Sequence, residues 1–100
     1  MTFVVVWEFI VGPGREAEFE RAYGPEGDWA QLFRQSRDYG GTELLRDPAT
    51  PGRYVTVDRW KSPAAYEWFH NQHATEYGTL DARCEELTAR ETKLGVFQSL

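Results

Sequence analysis

The most constraining feature of this sequence is the apolar segment from Thr2 to Val11, whose β-branched and aromatic residues predict a β-strand. Successive side chains of a strand point to opposite faces of its sheet. Both rows of this strand are apolar apart from Glu8, whereas a sheet with one face in water alternates apolar and polar residues. We therefore expect both faces to be covered. Glu8 lies either at the rim of the covering interface, paired with an arginine, or in a cavity, and the rim is favoured. The two rows are Phe3, Val5, Trp7, Phe9, Val11 and Val4, Val6, Glu8, Ile10.

Turn residues and apolar periodicity divide the rest of the chain into the order β-α-(α)-β-β-α-β, a single domain over residues 1–100. This order predicts an α+β fold of βαββαβ type, an antiparallel sheet with helices on one face. Since those helices cover one face only, we expect a second copy of the chain to cover the other, giving a homodimer through the sheet face. After the first strand, the sequence predicts a helix over 15–23 and a short helix that begins at Asp28, an N-cap paired with Gln31. Two strands follow, from 39 to about 46 and over 53–60. A long helix then runs from Ser62-Pro63 to about Arg90, and a last strand covers 91–100.

Composition narrows the class of protein. A chain of 100 residues is marginally stable alone, and its single cysteine, Cys84, excludes an intrachain disulfide and favours a reducing cytoplasm. No apolar run is long enough to span a membrane. The net charge of −5 argues against nucleic acid and against an anionic membrane surface as partners.

The long predicted helix carries an apolar stripe with a histidine at its centre. His73 has two open interpretations: a core histidine that is hydrogen-bonded locally, or a base at the edge of an aromatic cavity. His70 lies on the flank of the stripe. Trp68 points away from it unless the helix bends near residues 71–73, for which Gly78 is a weak point. The stripe consists of Tyr66, Phe69, His73, Tyr77, Leu80, Cys84 and Leu87.

The same helix contains a candidate metal site, because His70, His73 and Glu76 follow each other at spacings of three residues. Two histidines and a carboxylate are a common ligand set. Successive steps of three swing around a helix, however, and the sequence contains no HExxH motif. We therefore expect no metal here, and Cys84 within the stripe is expected to be an inert core residue.

A set of short motifs extends over nearly the whole chain. The motifs are Gly27-Asp28-Trp29, Gly40-Gly41-Thr42, Trp60-Lys61-Ser62 followed by Ala65 and Phe69, Leu87-Thr88 and Gly95-Val96-Phe97. This set resembles the antibiotic biosynthesis monooxygenase (ABM) family. The resemblance implies a ferredoxin-like protomer within a dimeric α+β barrel and a small aromatic ligand without a cofactor.

Functions in that family vary. The tryptophan of the catalytic set of heme degraders corresponds to Trp68, but the asparagine and histidine would fall near Trp7 and Gly78, so heme degradation is not expected. The resemblance instead favours a cofactor-independent monooxygenase acting with oxygen on a small or polycyclic aromatic substrate. The alternative is a non-catalytic dimeric ligand-binding or stress-response domain. For the enzyme we expect His73 as base and Tyr77 as hydrogen-bond donor, with Trp29, Trp68, Phe69, His70 and Asn71 in contact with the substrate.

Overall fold

The computed structural model describes residues 2–100. It confirms the α+β fold: a four-stranded antiparallel sheet of ferredoxin-like topology with order β2-β3-β1-β4. Within the described residues, no helix is long and apolar enough to cross a membrane. The elements are β1 (Phe3–Val11), α1 (Glu16–Tyr23), α2 (Asp28–Phe33), β2 (Tyr39–Arg46), β3 (Arg53–Trp60), α3 (Pro63–Gln72), α4 (Ala74–Cys84) and β4 (Thr88–Gln98), with a 3-10 turn at Glu85–Leu87 before β4.

The predicted long helix is in fact two helices. His73 separates α3 from α4 with φ −115° and ψ 28°, which leaves the helical region. The predicted end at Arg90 was also wrong, because the helix stops at Cys84 and β4 already begins at Thr88. Gly78 lies inside α4 and is not the point of the bend.

The start of α2 also differs from the prediction. Gly27, not Asp28, is the N-cap, and no side chain caps the helix. The expected capping pair does not form, because the Gln31 Nε2 donates instead to the carbonyl oxygen of Glu26 at 3.0 Å. Asp28 is the first helical residue, where its negative charge is favourable near the helix N-terminus.

The core between the helices and the sheet is built mainly from aromatic rings. Phe19, Trp60 and Phe69 are fully buried, and Phe33 packs edge-on against both Trp60 and Phe69. These rings come from α1, α2, β3 and α3, so they join every layer of the protomer. Large rigid rings bury much area but pack only in restricted geometries, so gaps between them are expected.

The opposite face of the sheet combines apolar residues with a charged pair. Val6 and Val57 are opposite each other in neighbouring strands, and both are only partly buried. On the same two interior strands, the Arg53 Nε donates to Glu8 Oε2 at 2.7 Å, which is the arginine pairing expected for Glu8. Further apolar residues of this outer face are Val4, Ile10, Val55, Leu45 and Phe97.

Gly27 and Gly78 should respond in opposite ways to the same substitution. A Cβ at Gly27 would meet the carbonyl oxygens of Arg21 and Ala22 at 2.5 and 2.6 Å, so Gly27→Ala should lower the free energy of unfolding by about 1–3 kcal/mol. A Cβ at Gly78 meets nothing within 4 Å, so Gly78→Ala should raise it by about 0.5–1 kcal/mol through helix propensity. Urea unfolding of both variants checks this, and equal effects would contradict the packing at Gly27.

Candidate active site

A cavity of about 150 Å³ lies between the inner face of the sheet and helices α2 and α4. Most of its wall is aromatic, and its polar groups are threonines and carboxylates. Cavities of this size bind molecules as large as one benzene ring. The lining residues are Trp7, Phe9, Tyr23, Trp29, Phe33, Thr42, Thr56, Asp58, Tyr77, Asp81 and Glu91.

Strand and helix periodicity place the polar groups in the cavity. Thr56 and Asp58 are two residues apart on β3 and so share its inner face, and Thr42 is the direct partner of Asp58 in β2. Tyr77 and Asp81 are four residues apart on α4, which puts both on one side of that helix.

Asp58 is the final acceptor of a short hydrogen-bonded chain. The Thr42 hydroxyl donates to Asp58 Oδ1 at 2.5 Å, and the Tyr39 hydroxyl contacts the same Thr42 oxygen. While Asp58 is ionised the Thr42 proton is engaged, so Tyr39 is the donor in the second contact. Burial raises the pKa of Asp58 to about 6, against the opposing effect of the Thr42 hydrogen bond.

Tyr77 supplies a phenol that stays protonated. Its ring packs edge-on against Trp29 with centroids 4.8 Å apart and at a tilt against His70 with centroids 4.6 Å apart. Burial raises the pKa of Tyr77 well above its ordinary value, and the nearby Tyr66 and carboxylates add to this. A hydroxyl in this state donates a hydrogen bond at neutral pH and does not act as a base.

His73 lies at the break between α3 and α4 and is not among the lining residues. Its ring stacks on Phe69 with centroids 4.6 Å apart, and its Nδ1 is 2.8 Å from Glu76 Oε1. Its backbone N–H donates to the Phe69 carbonyl, and its own carbonyl accepts from the Tyr77 N–H, both at 2.9 Å. These contacts hold the junction that orients α4 towards the cavity.

Of the other residues expected at the site, the structure brings only Trp29 into the cavity beside Tyr77. Trp68 is 57% exposed, so the bend at His73 does not turn it inward, and Asn71 is also exposed. Phe69 is a core residue. His70 is packed between Tyr66 and Tyr77 outside the lining, and burial, together with Lys93, lowers its pKa.

Five polar lining residues were not predicted from the sequence: Thr42, Thr56, Asp58, Asp81 and Glu91. A signal for Asp58 was present in the sequence, because it shares a row of β3 with Tyr54 and Trp60, both of which are buried. A carboxylate in such a row is unusual unless it is paired or functional. Asp81 and Glu91 follow only from the three-dimensional placement of α4 beside β4.

The residues considered as metal ligands do not form a cluster in the structure. Within residues 2–100 there is no group of three or more histidine, cysteine, aspartate or glutamate side chains placed to hold an ion. Glu76 is hydrogen-bonded to His73, whereas His70 packs among aromatic rings.

The raised pKa of Asp58 has a consequence for stability. Between about pH 4, the ordinary pKa of aspartate, and about pH 6 the folded protein holds a proton that the unfolded chain has lost. The free energy of unfolding should therefore fall as the pH rises through this window. Asp58→Asn should be more stable than wild type by roughly 1–2 kcal/mol at pH above 7 and nearly equal to it near pH 4.

Urea unfolding at several pH values measures this difference. The exposed Glu67, which forms no salt bridge within residues 2–100, provides a control, and Glu67→Gln should show no such dependence. A stability difference for Asp58→Asn that does not change with pH would contradict the assignment.

Comparisons with known proteins agree with this fold. The ABM family model, described as antibiotic biosynthesis monooxygenase, matches residues 2–77. No curated protein matches the chain. A variant of SnoaB, a cofactor-independent oxygenase from Streptomyces nogalater, superposes with a TM-score of 0.81 at 20% identity over 98% of this chain and 92% of SnoaB.

Two further solved structures are similar at low sequence identity. Rv0793 from Mycobacterium tuberculosis has a TM-score of 0.70 at 18% identity, covering 100% of this chain and 96% of its own. A Methanosarcina mazei protein has a TM-score of 0.73 at 13% identity, covering 100% and 94%. These likenesses show the fold, and the family match over three quarters of the sequence shows that the chain belongs to the antibiotic biosynthesis monooxygenase family.

Proposed function

We propose that this protein is a cofactor-independent monooxygenase that removes a proton from an aromatic substrate and lets the resulting anion react with oxygen. The observation that carries the proposal is the position of Asp58, a carboxylate of near-neutral pKa in the wall of an aromatic cavity. The similarity to SnoaB, itself described as a cofactor-independent oxygenase, adds support.

Asp58 is the base in this proposal. A general base is most effective when its pKa lies near the working pH, and burial raises the pKa of Asp58 towards neutral pH. Thr42 and Tyr39 donate in sequence towards the carboxylate and so fix its orientation. For a phenol, the proton moves from the substrate oxygen to Asp58 and leaves an electron-rich phenolate.

Tyr77 is the donor that stabilises the developing oxyanion. Preorganised donors in a site that excludes water act most strongly on charge that forms during the reaction. The phenolate gives one electron to oxygen, and the ring radical and superoxide then combine to form a carbon–oxygen bond. Loss of water from the resulting peroxide leaves a quinone, so one phenol and one oxygen molecule give one quinone and one water.

His73 remains the alternative base. The geometry favours Asp58 because Asp58 lines the cavity, whereas the His73 Nδ1 is engaged with Glu76 and its ring lies against Phe69. In the proposed enzyme His73 positions α4 and hence Tyr77.

The cavity volume limits the reacting part of the substrate. A space of about 150 Å³ takes one aromatic ring, so a polycyclic molecule would place its other rings in the opening. Single-ring phenols are therefore the first substrates to test, with anthrone as a three-ring comparison.

Oxygen uptake by the purified protein, with no cofactor added, tests the proposal. We expect uptake above the uncatalysed rate and incorporation of isotopically labelled oxygen into the quinone. Asp58→Asn should lower kcat by roughly 10²-fold or more, because the variant has no base at this position. His73→Ala should retain activity once its loss of stability is taken into account.

The control is Glu67→Gln, which changes an exposed carboxylate to an amide and should not alter the rate. Full activity of Asp58→Asn together with loss in His73→Ala would reverse the assignment of the base. No labelled product with any substrate, despite binding in the cavity, would favour a non-catalytic ligand-binding domain.

We also propose that the working form is a homodimer whose subunits meet through the outer face of the sheet. This face has apolar residues at its centre on β1 and β3 that stay partly exposed in the protomer. The same face carries the Glu8–Arg53 ion pair on its two interior strands, so the charges there are mutually compensated.

Val57→Lys should convert the dimer to a monomer, because it places a charge at the centre of the proposed interface. Ala82→Lys is the matched control, since Ala82 is exposed on α4 on the helical side. Sedimentation velocity at micromolar concentration measures the state, and circular dichroism checks that both variants are folded. A wild-type monomer, or a folded Val57→Lys dimer, would contradict the proposal.

A further inference from the structure

The charges that line the cavity all have one sign. Its ionisable lining groups besides the tyrosines are three carboxylates, Asp58, Asp81 and Glu91. Elsewhere in the chain, carboxylates are commonly paired with arginine, as in the contacts of Arg53 with Glu8 and Asp47. Within residues 2–100 none of the three cavity carboxylates forms a salt bridge, although Glu91 accepts a hydrogen bond from Thr88 at 3.3 Å.

The nearest cationic side chains are directed elsewhere. Lys93 is opposite Trp7 in the sheet and acts on His70, but it is exposed and does not line the cavity. Arg83 pairs with Asp28, and Arg90 is oriented to Glu8 on the outer face. Within residues 2–100, no lysine or arginine side chain lines the cavity or forms a salt bridge with its carboxylates.

Trp29 contributes its ring to the cavity wall. Trp29 is 7% exposed, and its Nε1 is buried beside the side chains of Tyr23 and Cys84. A molecule in the cavity therefore meets the indole ring and not this N–H group.

We propose that the cavity selects an aromatic molecule that carries a cationic amino group, with the ring among Trp7, Trp29 and Tyr77 and the ammonium towards Asp81 and Glu91. An ammonium group is attracted both by aromatic faces and by carboxylates, and an aromatic wall with free carboxylates supplies both. An anionic substrate would meet three like charges in a partly desolvated space, which disfavours its binding.

A bound cation would change the ionisation of Glu91. Desolvation of its carboxyl group and the nearby Asp81 raise the pKa of Glu91. A bound ammonium would favour the ionised form of both groups.

This inference rests on the proposed function for the use of the cavity, but binding tests it separately from catalysis. The probes are three one-ring phenols of similar size: the cation tyramine, the neutral para-ethylphenol and the anion para-hydroxyphenylacetate. Calorimetry on the full chain near pH 7.5 and at low salt should give a Kd for tyramine about tenfold below that of para-ethylphenol. The anion should bind more weakly than both.

The variant Asp81→Asn/Glu91→Gln should remove the preference for tyramine and leave the affinity for para-ethylphenol within about twofold. Glu67→Gln, which removes one negative charge outside the cavity, should keep the preference. Equal affinities for the three probes, tighter binding of the anion, no binding of any probe, or a preference that survives in the double variant would overturn the inference. A preference for tyramine without oxygen uptake would retain the inference and reject the proposed reaction.

Discussion

The structure depends on the pairing of β1 with two neighbours along nearly its whole length. β3 lies on one side and β4 on the other, so β1 is the central strand whose two faces decide what can pack above and below the sheet. The inner row receives the helices, and Val5 and Phe9 are almost completely buried there. The outer row has no helix to cover it and remains partly exposed in the protomer.

The order of elements along the chain, and the helices on one face, were predictable because each depends on local signals. β-branched and aromatic residues indicated the strands, and Gly-Pro and Ser-Pro steps indicated where helices end and begin. The break at His73 was not predictable to the residue, since neither glycine nor proline marks it and the apolar stripe continues across it. At the break, the His73 ring stacks on Phe69 of the preceding helix and its Nδ1 contacts Glu76 of the following one, so His73 bridges the two helices.

The candidate site was predictable only in part for the same reason. Trp29 and Tyr77 could be predicted because each is an aromatic residue on the apolar face of a predicted helix, and both line the cavity. Asp58 was passed over because its row in β3 mixes polar and apolar residues, a pattern also typical of a strand exposed to water. Only the packing of helices over that row turns its carboxylate from an exposed group into one of raised pKa.

The unpaired carboxylate of Asp58 lowers the stability of the fold and, in the proposed reaction, serves as the base. An unpaired carboxylate in a desolvated wall destabilises the folded state when ionised, and a paired arginine would remove that cost. An arginine beside Asp58 would also lower its pKa and make it a weaker base. The fold therefore gains a proton acceptor only by leaving the charge unpaired, and the aromatic core built on Phe19, Trp60 and Phe69 supplies the stability that tolerates it.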